Sequence, residues 1–318
     1  MKATDGKTSD HSTAVALPHH QIEQDLAGDL LFSSQGLDLY LIPGERFTPY
    51  ADPVGLLREL TYSQQLSGSG QSRDLDSRDS SYDHFLLVES SSGHLAGSAR
   101  LQFVPRQDPS RPTRPLPSGE QSYLEHVYPG MKAVLAQQGH HLEIGRVALA
   151  PQFQRQPHSL MCLFRGGLQV AVSSGYGSIH GLVSYNHFAF GNEVNEHFLR
   201  SLLRPPFHDT DHPCPPPRHP VNGIHPSAQP GSSHSIQGLE QEIQQQLDAN
   251  FRLPVLLRQY INLMEARVRN LSLALDFNQI TEILMAADLK RIPPSRLQHF
   301  VDFPHQPIYR RFSWYRGN

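Results

Sequence analysis

The sequence predicts an α/β protein built on a mixed, mostly antiparallel sheet with helices on both faces. Two features carry this prediction. Residues 84–104 contain two apolar runs around the turn residues SSG, which is typical of a β-hairpin. Residues 142–185 contain a strand, a strongly periodic helix and a second strand, and this order favours a parallel pair within the same sheet.

The helix inside residues 142–185 has the clearest pattern in the chain. Its apolar and small residues recur at i, i+3 and i+4 through three turns. Ser159 precedes this pattern and is predicted to cap the helix, while Gly175 and Gly177 are predicted to end it. The residues of the pattern are Leu160, Leu163, Phe164, Gly167, Leu168, Ala171 and Val172.

The other elements follow from apolar spacing and from Pro and Gly positions. Helices are predicted at 52–66 with Pro53 near the start, at 123–139 with a break at Pro129, at 237–250, and from Pro254 through 266. Strands are predicted at 37–43, 267–276, 281–289 and 309–318.

Three segments are predicted to lie outside regular elements. Residues 1–24 are polar and are interpreted as a loose tail before a single domain at 25–318. Residues 67–81 are interpreted as a flexible loop of acidic and basic residues, and the Arg- and Pro-rich residues 105–117 as a further loop. Residues 204–235 are dense in Pro, His and Ser and predict a mobile insertion outside the core.

Composition excludes several classes of function. The chain has 318 residues and a formal net charge of −3, which argues against a nucleic-acid surface. Its two cysteines, Cys162 and Cys214, lie in unrelated contexts and predict no disulfide framework. The first residues lack a secretory signal and no run approaches the length of a membrane span, so we expect a cytoplasmic protein.

Three sequence blocks, in this order, resemble one known family. They are DSSYDHFLLVESSSGHLAGSARL at 79–101, LEIGRVALAPQFQRQPHSLMCLFRGGL at 142–168, and LPVLLRQYINLMEARVRNLSLALDFNQITEILM at 253–285. They are similar to the Asp-His strand, the Glu-Leu-Gly-Arg strand and the Leu-Pro-x-Leu helix of the ornithine–acyl carrier protein N-acyltransferase (hemolysin-like) family. That family belongs to the GNAT superfamily and is related to acyl-homoserine-lactone synthases.

The resemblance implies a GNAT-like fold splayed at the central strand, and transfer of a fatty acyl chain from acyl carrier protein to the amine of an amino acid. It implies no permanently bound cofactor, because the acyl-phosphopantetheine thioester is the donor. The turn RQPHSL lacks the glycine that usually brings backbone N–H groups close to a pyrophosphate, so acyl carrier protein is expected in preference to acyl-CoA.

The resemblance also implies roles for individual residues. Glu143 would be the general base on an apolar strand face, and Arg146 would join it if a one-residue bulge at Gly145 turned both to one side of the sheet. Backbone N–H groups after Gly145 would receive the oxyanion. Substrate-binding residues would be Arg58, Asp79, Asp83, His84 and Arg100, and donor-binding residues would be Val147, Leu149, Arg155, Ser159 and Arg165.

Each assignment has an alternative. Glu143 and Arg146 could form a structural ion pair, and Arg155 and Arg165 could simply face solvent. The His residues of 204–235, with Cys214, lack the spacing of a zinc site, so no metal is predicted. The Arg- and aromatic-rich C-terminus could instead contact an anionic inner-membrane face. An acyl-homoserine-lactone-type synthase and a catalytically silent GNAT-fold binding module remain alternative functions.

Overall fold

The residues that the structure describes are organised around one eight-stranded sheet. The structure is a computed structural model that describes residues 15, 17, 25–104 and 121–301. The strands are Leu30–Ser34 (β1), Leu37–Ile42 (β2), Asp83–Glu89 (β3), Leu95–Val104 (β4), His141–Leu149 (β5), Ser178–Tyr185 (β6), Arg267–Ala274 (β7) and Ile280–Asp288 (β8). Their spatial order is β1-β2-β3-β4-β5-β6-β8-β7.

Helices cover both faces of this sheet. They are Ala51–Ser63 (α1), Tyr123–Val127 (α2), Met131–Gln138 (α3), Pro151–Gln154 (α4), Pro157–Ser174 (α5), Asn192–Leu202 (α6), Ile236–Gln246 (α7), Val255–Met264 (α8) and Pro294–Phe300 (α9). Neighbouring residues on a strand point to opposite faces. His84 of β3 contacts Arg58 of α1, whereas a Cβ at Gly166 of α5 would lie 3.2 Å from the Phe85 ring. Thus α1 and α5 lie on opposite faces, which confirms the predicted fold class.

The strand, helix and strand at the centre form as predicted. β5 and β6, joined through α5, form a parallel pair, and the other six pairings among the eight described strands are antiparallel. The β5–β6 register ends at Ile144 opposite Gly181, although both strands continue further. The two strands therefore separate beyond this pair, and the splay predicted at the central strand is present.

The predicted bulge lies in the same stretch of β5. Ser98 of β4 pairs with Ala148, but Arg100, two residues on, pairs with Gly145, three residues back along β5. Arg146 takes up the extra residue with a φ of +52°, in the left-handed region. The bulge thus restarts the alternation of side chains in the middle of the strand.

Two predicted helix starts are wrong in detail. Ser159 does not cap α5, because the helix already begins at Pro157 and its N-cap is Gln156. The buried Ser159 hydroxyl has no hydrogen-bond partner among the described residues. Pro254 precedes α8 as its N-cap instead of being the first helical residue. Gly175 ends α5 in a left-handed conformation, as predicted.

The segment 67–81 is tied to the protein by charged groups, contrary to the prediction of a flexible loop. Asp74 and Asp79 are buried, and Asp76 accepts a 2.7 Å hydrogen bond from the Arg100 guanidinium. Asp76 and Asp79 also form a capping box around a short helical turn at Ser77–Ser80. The partners of these carboxylates come from distant parts of the sequence.

The segment 204–235 has no α-helix and none of the eight sheet strands, as predicted, but it is partly packed into the protein. Phe207 is buried, and Asp209 donates its backbone N–H to the Val268 carbonyl at 2.8 Å. His219 accepts a backbone hydrogen bond from Leu273 at 2.8 Å. The prediction of an insertion outside the core is therefore wrong for the part that lines the edge strand β7.

Part of the predicted tail also packs. The backbone of residue 15 accepts a hydrogen bond from Leu95, and the N–H of Leu17 donates to the Gly93 carbonyl at 3.0 Å. Both side chains are buried. The rest of the predicted tail, the loop at 105–117 and the strand at 309–318 lie outside the described residues.

Candidate active site

A cavity of about 370 Å³ lies where β5 and β6 separate. On one face of the sheet the cavity is lined by Glu143 of β5, which accepts a hydrogen bond from Leu124 of α2. On the other face it is lined by Tyr260 of α8, whose ring centre lies 4.9 Å from that of Phe164 of α5. The cavity therefore crosses the sheet. Its remaining lining is mostly apolar on the α8 side, with Leu253, Pro254, Val255 and Leu256, and polar on the α2 side, with Arg100, Tyr123, Arg146 and Glu282.

Glu143 is a buried carboxylate held by specific donors. Only 4% of its surface is exposed. Its Oε1 atom accepts hydrogen bonds from the Tyr82 hydroxyl at 2.7 Å and from the Leu124 backbone N–H at 3.3 Å. Burial raises the pKa of Glu143, although the hydroxyls of Tyr82 and Ser122 oppose this by stabilising the charged form. The group is thus more basic than an ordinary carboxylate.

Arg146 lies on the same side of the sheet as Glu143, as the bulge predicts. Its guanidinium lies 4.2 Å from the centre of the Phe277 ring, and it forms ion pairs with Asp74 at 3.2 Å and Asp76 at 3.4 Å. Within the described chain these two carboxylates are its counter-ions. Among the described residues, Glu143 and Arg146 form no ion pair, so the alternative in which Glu143 neutralises Arg146 is not supported.

Gly145 leaves open space in the cavity. A Cβ atom built on it would meet no heavy atom within 4 Å outside its chain neighbours. The β4–β5 register also passes over Arg146 and Val147, so these two residues have no facing residue on β4. The backbone just after Gly145 is therefore released from the regular ladder beside the carboxylate.

Four of the five predicted substrate-binding residues form a buried charged cluster, which we name the Arg58 cluster. Its members are Arg58, Asp79, His84 and Arg100. Arg58 donates to Asp79 at 2.9 Å, and Arg100 lies 3.2 Å from the same carboxylate. Burial would raise the pKa of Asp79, but the two guanidinium groups outweigh it and hold the pKa well below its usual value. Burial, assisted by Arg58, lowers the pKa of His84 to about 3.

Of the Arg58 cluster, only Arg100 lines the cavity among the described residues. Arg58 has no exposed surface, so it orders Asp79 and has no access to a ligand in this structure. Asp83 lies apart from the cluster, where it accepts the Gly44 backbone N–H at 3.1 Å. The structure therefore brings Arg100 to the cavity together with Glu143 and Arg146, and leaves the other four residues behind it.

One of the five predicted donor-binding residues, Val147, lines the cavity, and the other four lie outside it. The carbonyl of Leu149 accepts a hydrogen bond from the Thr61 hydroxyl of α1 at 3.0 Å. Arg155 is exposed just before α5, and the Arg165 guanidinium lies 4.4 Å from the Phe32 ring centre. Ser159 is buried beneath the start of the same helix.

The first turn of α5 offers few free N–H groups. Pro157 has none, and the N–H of Ser159 donates to the Gln156 carbonyl at 3.0 Å. The His158 ring lies 2.9 Å from the Ser34 carbonyl. Two of the N–H positions in this turn are therefore unavailable to a diphosphate at the helix N-terminus.

Glu282 is a second carboxylate in the cavity, and the sequence prediction missed it. It lies on β8, is 5% exposed, and accepts a 3.0 Å hydrogen bond from the Tyr123 hydroxyl. Burial raises its pKa to about 7, although Tyr123 and Arg146 oppose the shift. A Glu in the otherwise apolar strand ITEILMAAD was the available signal, and it is the same kind of signal that identified Glu143.

The histidines of 204–235 form no metal site in the structure. His212 lies 3.0 Å from Asp209, and Arg291 pairs with Asp211. Throughout the described residues, no three His, Cys, Asp or Glu side chains gather as metal ligands would. None of the described helices combines the length and apolar character needed to cross a membrane.

Residues 57–164 match the family model described as Acetyltransferase (GNAT) domain. This match runs from α1 into α5 and includes the bulged strand β5. The mostly antiparallel, splayed sheet is consistent with the GNAT fold. The match supports the expected superfamily over residues 57–164, and the narrower family stays a prediction.

Three solved structures align with this chain over most of both lengths. The loading GNATL domain of CurA from Lyngbya majuscula is 14% identical, covers 80% of this chain and 98% of that chain, and has a TM-score of 0.37. FeeM, an N-acyl amino acid synthase from uncultured soil microbes, is 10% identical over 82% of this chain and 94% of its own, with a TM-score of 0.40. BjaI, a CoA-dependent acyl-homoserine lactone synthase, is 12% identical over 84% and 89%, with a TM-score of 0.41. No curated protein matches the chain significantly.

Proposed function

We propose that this protein is an N-acyltransferase that moves an acyl chain from a phosphopantetheine thioester to the amine of an amino acid. One observation carries the proposal: a buried carboxylate of raised pKa, Glu143, lines a cavity that crosses the sheet beside a backbone bulge. The match to an acetyltransferase domain over 57–164 supports acyl transfer as the reaction class.

The chemistry requires a proton acceptor, a polarised carbonyl and space for both substrates. Glu143 is the proposed acceptor, because its raised pKa suits proton transfer near neutral pH. Backbone N–H groups at Arg146 and Val147, released from the β4 ladder, are the proposed donors to the oxyanion. Gly145 keeps the space between them open for the thioester carbon.

The cavity separates a polar from an apolar end, which suits the two substrates. We assign the amine to the polar end, near Glu143, Arg146 and Arg100. The acyl chain is assigned to the apolar end between Val147 and Tyr260, where burial of methylene groups supplies affinity at about 0.8 kcal/mol each.

The proposed donor is acyl carrier protein. Phosphopantetheine on a carrier protein lacks the adenosine diphosphate part of coenzyme A, and two N–H positions in the first turn of α5 are unavailable to a diphosphate. Arg155, exposed beside this turn, is the proposed contact for an acidic carrier surface.

The test is direct detection of the product. The purified protein is incubated with palmitoyl-acyl carrier protein and a panel of primary amines that includes ornithine, and amides are identified by mass spectrometry. An N-acyl product that requires the protein supports the proposal. Thioester that stays intact with every amine refutes it, and a lactone product would establish the alternative synthase activity.

A further inference from the structure

Glu282 shares the cavity with Glu143 but is held on a different strand. Glu143 comes from β5 and Glu282 from β8, two strands away across the splay. Tyr123 of α2 joins their surroundings: its N–H donates to the Tyr82 hydroxyl at 2.9 Å, and its own hydroxyl donates to Glu282 at 3.0 Å. Both carboxylates therefore line one space and share one hydrogen-bond network.

The two carboxylates are bonded differently. Oε1 of Glu143 receives two close donors, Tyr82 and the Leu124 N–H. Glu282 has one close donor, Tyr123, on Oε1, while the Ser272 hydroxyl lies 3.4 Å from Oε2. The second oxygen of Glu282 is thus the less satisfied one, and it belongs to a residue that lines the cavity.

Charged groups of both signs surround Glu282. Arg146 of β5 favours its ionised form, while Asp276, in the turn between β7 and β8, opposes it. The hydroxyls of Tyr123 and Tyr128 and of Ser272 complete its surroundings. Arg146 pairs with Asp74 and Asp76. It forms no ion pair with Glu282, and no other ion pair of Glu282 is present among the described residues.

We propose that Glu282 binds the ammonium form of the amine substrate and takes its first proton, a role that rests on the proposed acyl transfer. An ammonium group carries two protons more than the nitrogen of the product amide keeps after the acyl group is bound. Glu282 accepts one, which passes to solvent. Glu143 accepts the other as nitrogen attacks the thioester carbon and then returns it to the thiolate released when the C–S bond breaks.

The experiment measures kcat/KM against pH for the wild-type chain, Glu282→Gln, Glu143→Gln and the control Glu196→Gln, with palmitoyl-acyl carrier protein and the amine that the product screen identifies. Glu196 lies on α6 in an exposed pair with Arg200. At pH 7, Glu282→Gln should lose roughly 10²–10⁴-fold, the range for loss of general base catalysis. This deficit should shrink as pH rises, because the fraction of free amine then grows. The deficit of Glu143→Gln should not shrink.

Three results would overturn the assignment: a Glu282→Gln rate near that of the control, a deficit independent of pH, or equal pH behaviour of both Glu variants. An inactive wild type refutes acyl transfer itself, and the assignment falls with it. If Glu282→Gln does not fold, Tyr123→Phe decides instead. Loss of this hydroxyl should move the midpoint of the rising limb to higher pH, and an unmoved limb contradicts the role.

Discussion

Glu143 owes its basicity to burial rather than to any lack of hydrogen bonds. Tyr82, Ser122 and the Leu124 N–H all stabilise its charged form, and its pKa is nevertheless raised because the carboxylate has left water. Arg146, three residues away, is neutralised by Asp74 and Asp76. The proposed catalytic charge and its neighbouring cation can thus be changed separately.

Glu143→Gln should therefore abolish activity without unfolding the protein. The amide oxygen can still accept from Tyr82 and Leu124, but it cannot accept a proton, so turnover should fall by roughly 10²–10⁴-fold. Turnover and a thermal melt on the same preparation check this. If Glu143 were instead the counter-ion of Arg146, the loss of stability would be about 3 kcal/mol or more. A folded variant with normal turnover rules out the catalytic role.

Glu282 should make stability depend on pH in a defined direction. Burial raises the pKa of Glu282 to about 7 in the folded chain, from the ordinary value of 4.5 for a glutamate. A raised pKa stabilises the fold below the unfolded value, and this contribution is lost as pH rises from about 4.5 through 7. The loss should be on the order of 3 kcal/mol.

Urea unfolding of the wild type and Glu282→Gln, from pH 4.5 to 8, isolates this contribution. The variant lacks the titrating group, so its stability relative to the wild type should increase with pH across the window. Carboxyls that share no partner with Glu282, such as Asp83 beside Gly44, titrate equally in both proteins and cancel in the difference. Parallel curves would show that Glu282 titrates normally.

The sequence was sufficient to place Glu143 and Arg146 together, but not to find Glu282. A bulge is a local feature, and the family resemblance implied one at Gly145, which would put both charges on one side of the sheet. Glu282 reaches the cavity only because β8 pairs with β6 at the splay, which is a property of the register. The burial of Arg58 could likewise not be predicted, because its partner Asp79 lies in a distant segment that was predicted to be a flexible loop.

At the scale of elements, the hydrophobic period predicted most helices and strands, but it did not predict β1, α4, α6 or α9. Composition was a poor guide to loops. Residues 67–81 resemble a flexible linker in composition, yet Asp74, Asp76 and Asp79 pair with arginines from α1, β4 and β5. Such long-range partners are not encoded in a local window. The hydrogen bonds between residues of 204–235 and the edge strand β7 are also long-range, so composition could not predict them.

Gly181 lies at the point where β5 and β6 separate. A Cβ at this position would lie 2.7 Å from the Ile144 carbonyl oxygen, at the last paired position of the two strands. Because that neighbour is backbone, it cannot swing away like a side chain. Gly181→Ala should therefore destabilise the protein by about 1–3 kcal/mol, the usual range for overpacking.

Gly177→Ala is the matched control, since a Cβ there meets nothing within 4 Å outside its chain neighbours. It should leave the urea midpoint nearly unchanged. Equal midpoints for both variants would mean that the strands can part at no cost. Reduced activity in a stable Gly181→Ala protein would show that the shape of the splay, rather than stability, is affected.

At the scale of the whole molecule, the proposed carrier-protein donor would be selected by the charges around the cavity. The chain has a net charge of −3, so an acidic carrier protein would experience no general attraction and would have to be recognised by local positive charge. Arg155 is exposed beside the start of α5. Arg165 is less suitable for a test, because its guanidinium packs on Phe32 and its loss would also remove that contact.

The donor prediction is that palmitoyl-acyl carrier protein supports faster turnover than palmitoyl-CoA, and that Arg155→Glu removes most of this advantage. The variant should raise KM for the carrier, and the dependence of KM on salt should weaken, because a screened attraction has been lost. Palmitoyl-pantetheine, which has no carrier surface, should be used equally by wild type and variant. Arg200→Glu, an exposed charge reversal on α6, should leave all three donors unaffected. Equal rates with carrier and coenzyme A would show that the first turn of α5 does not discriminate against the diphosphate.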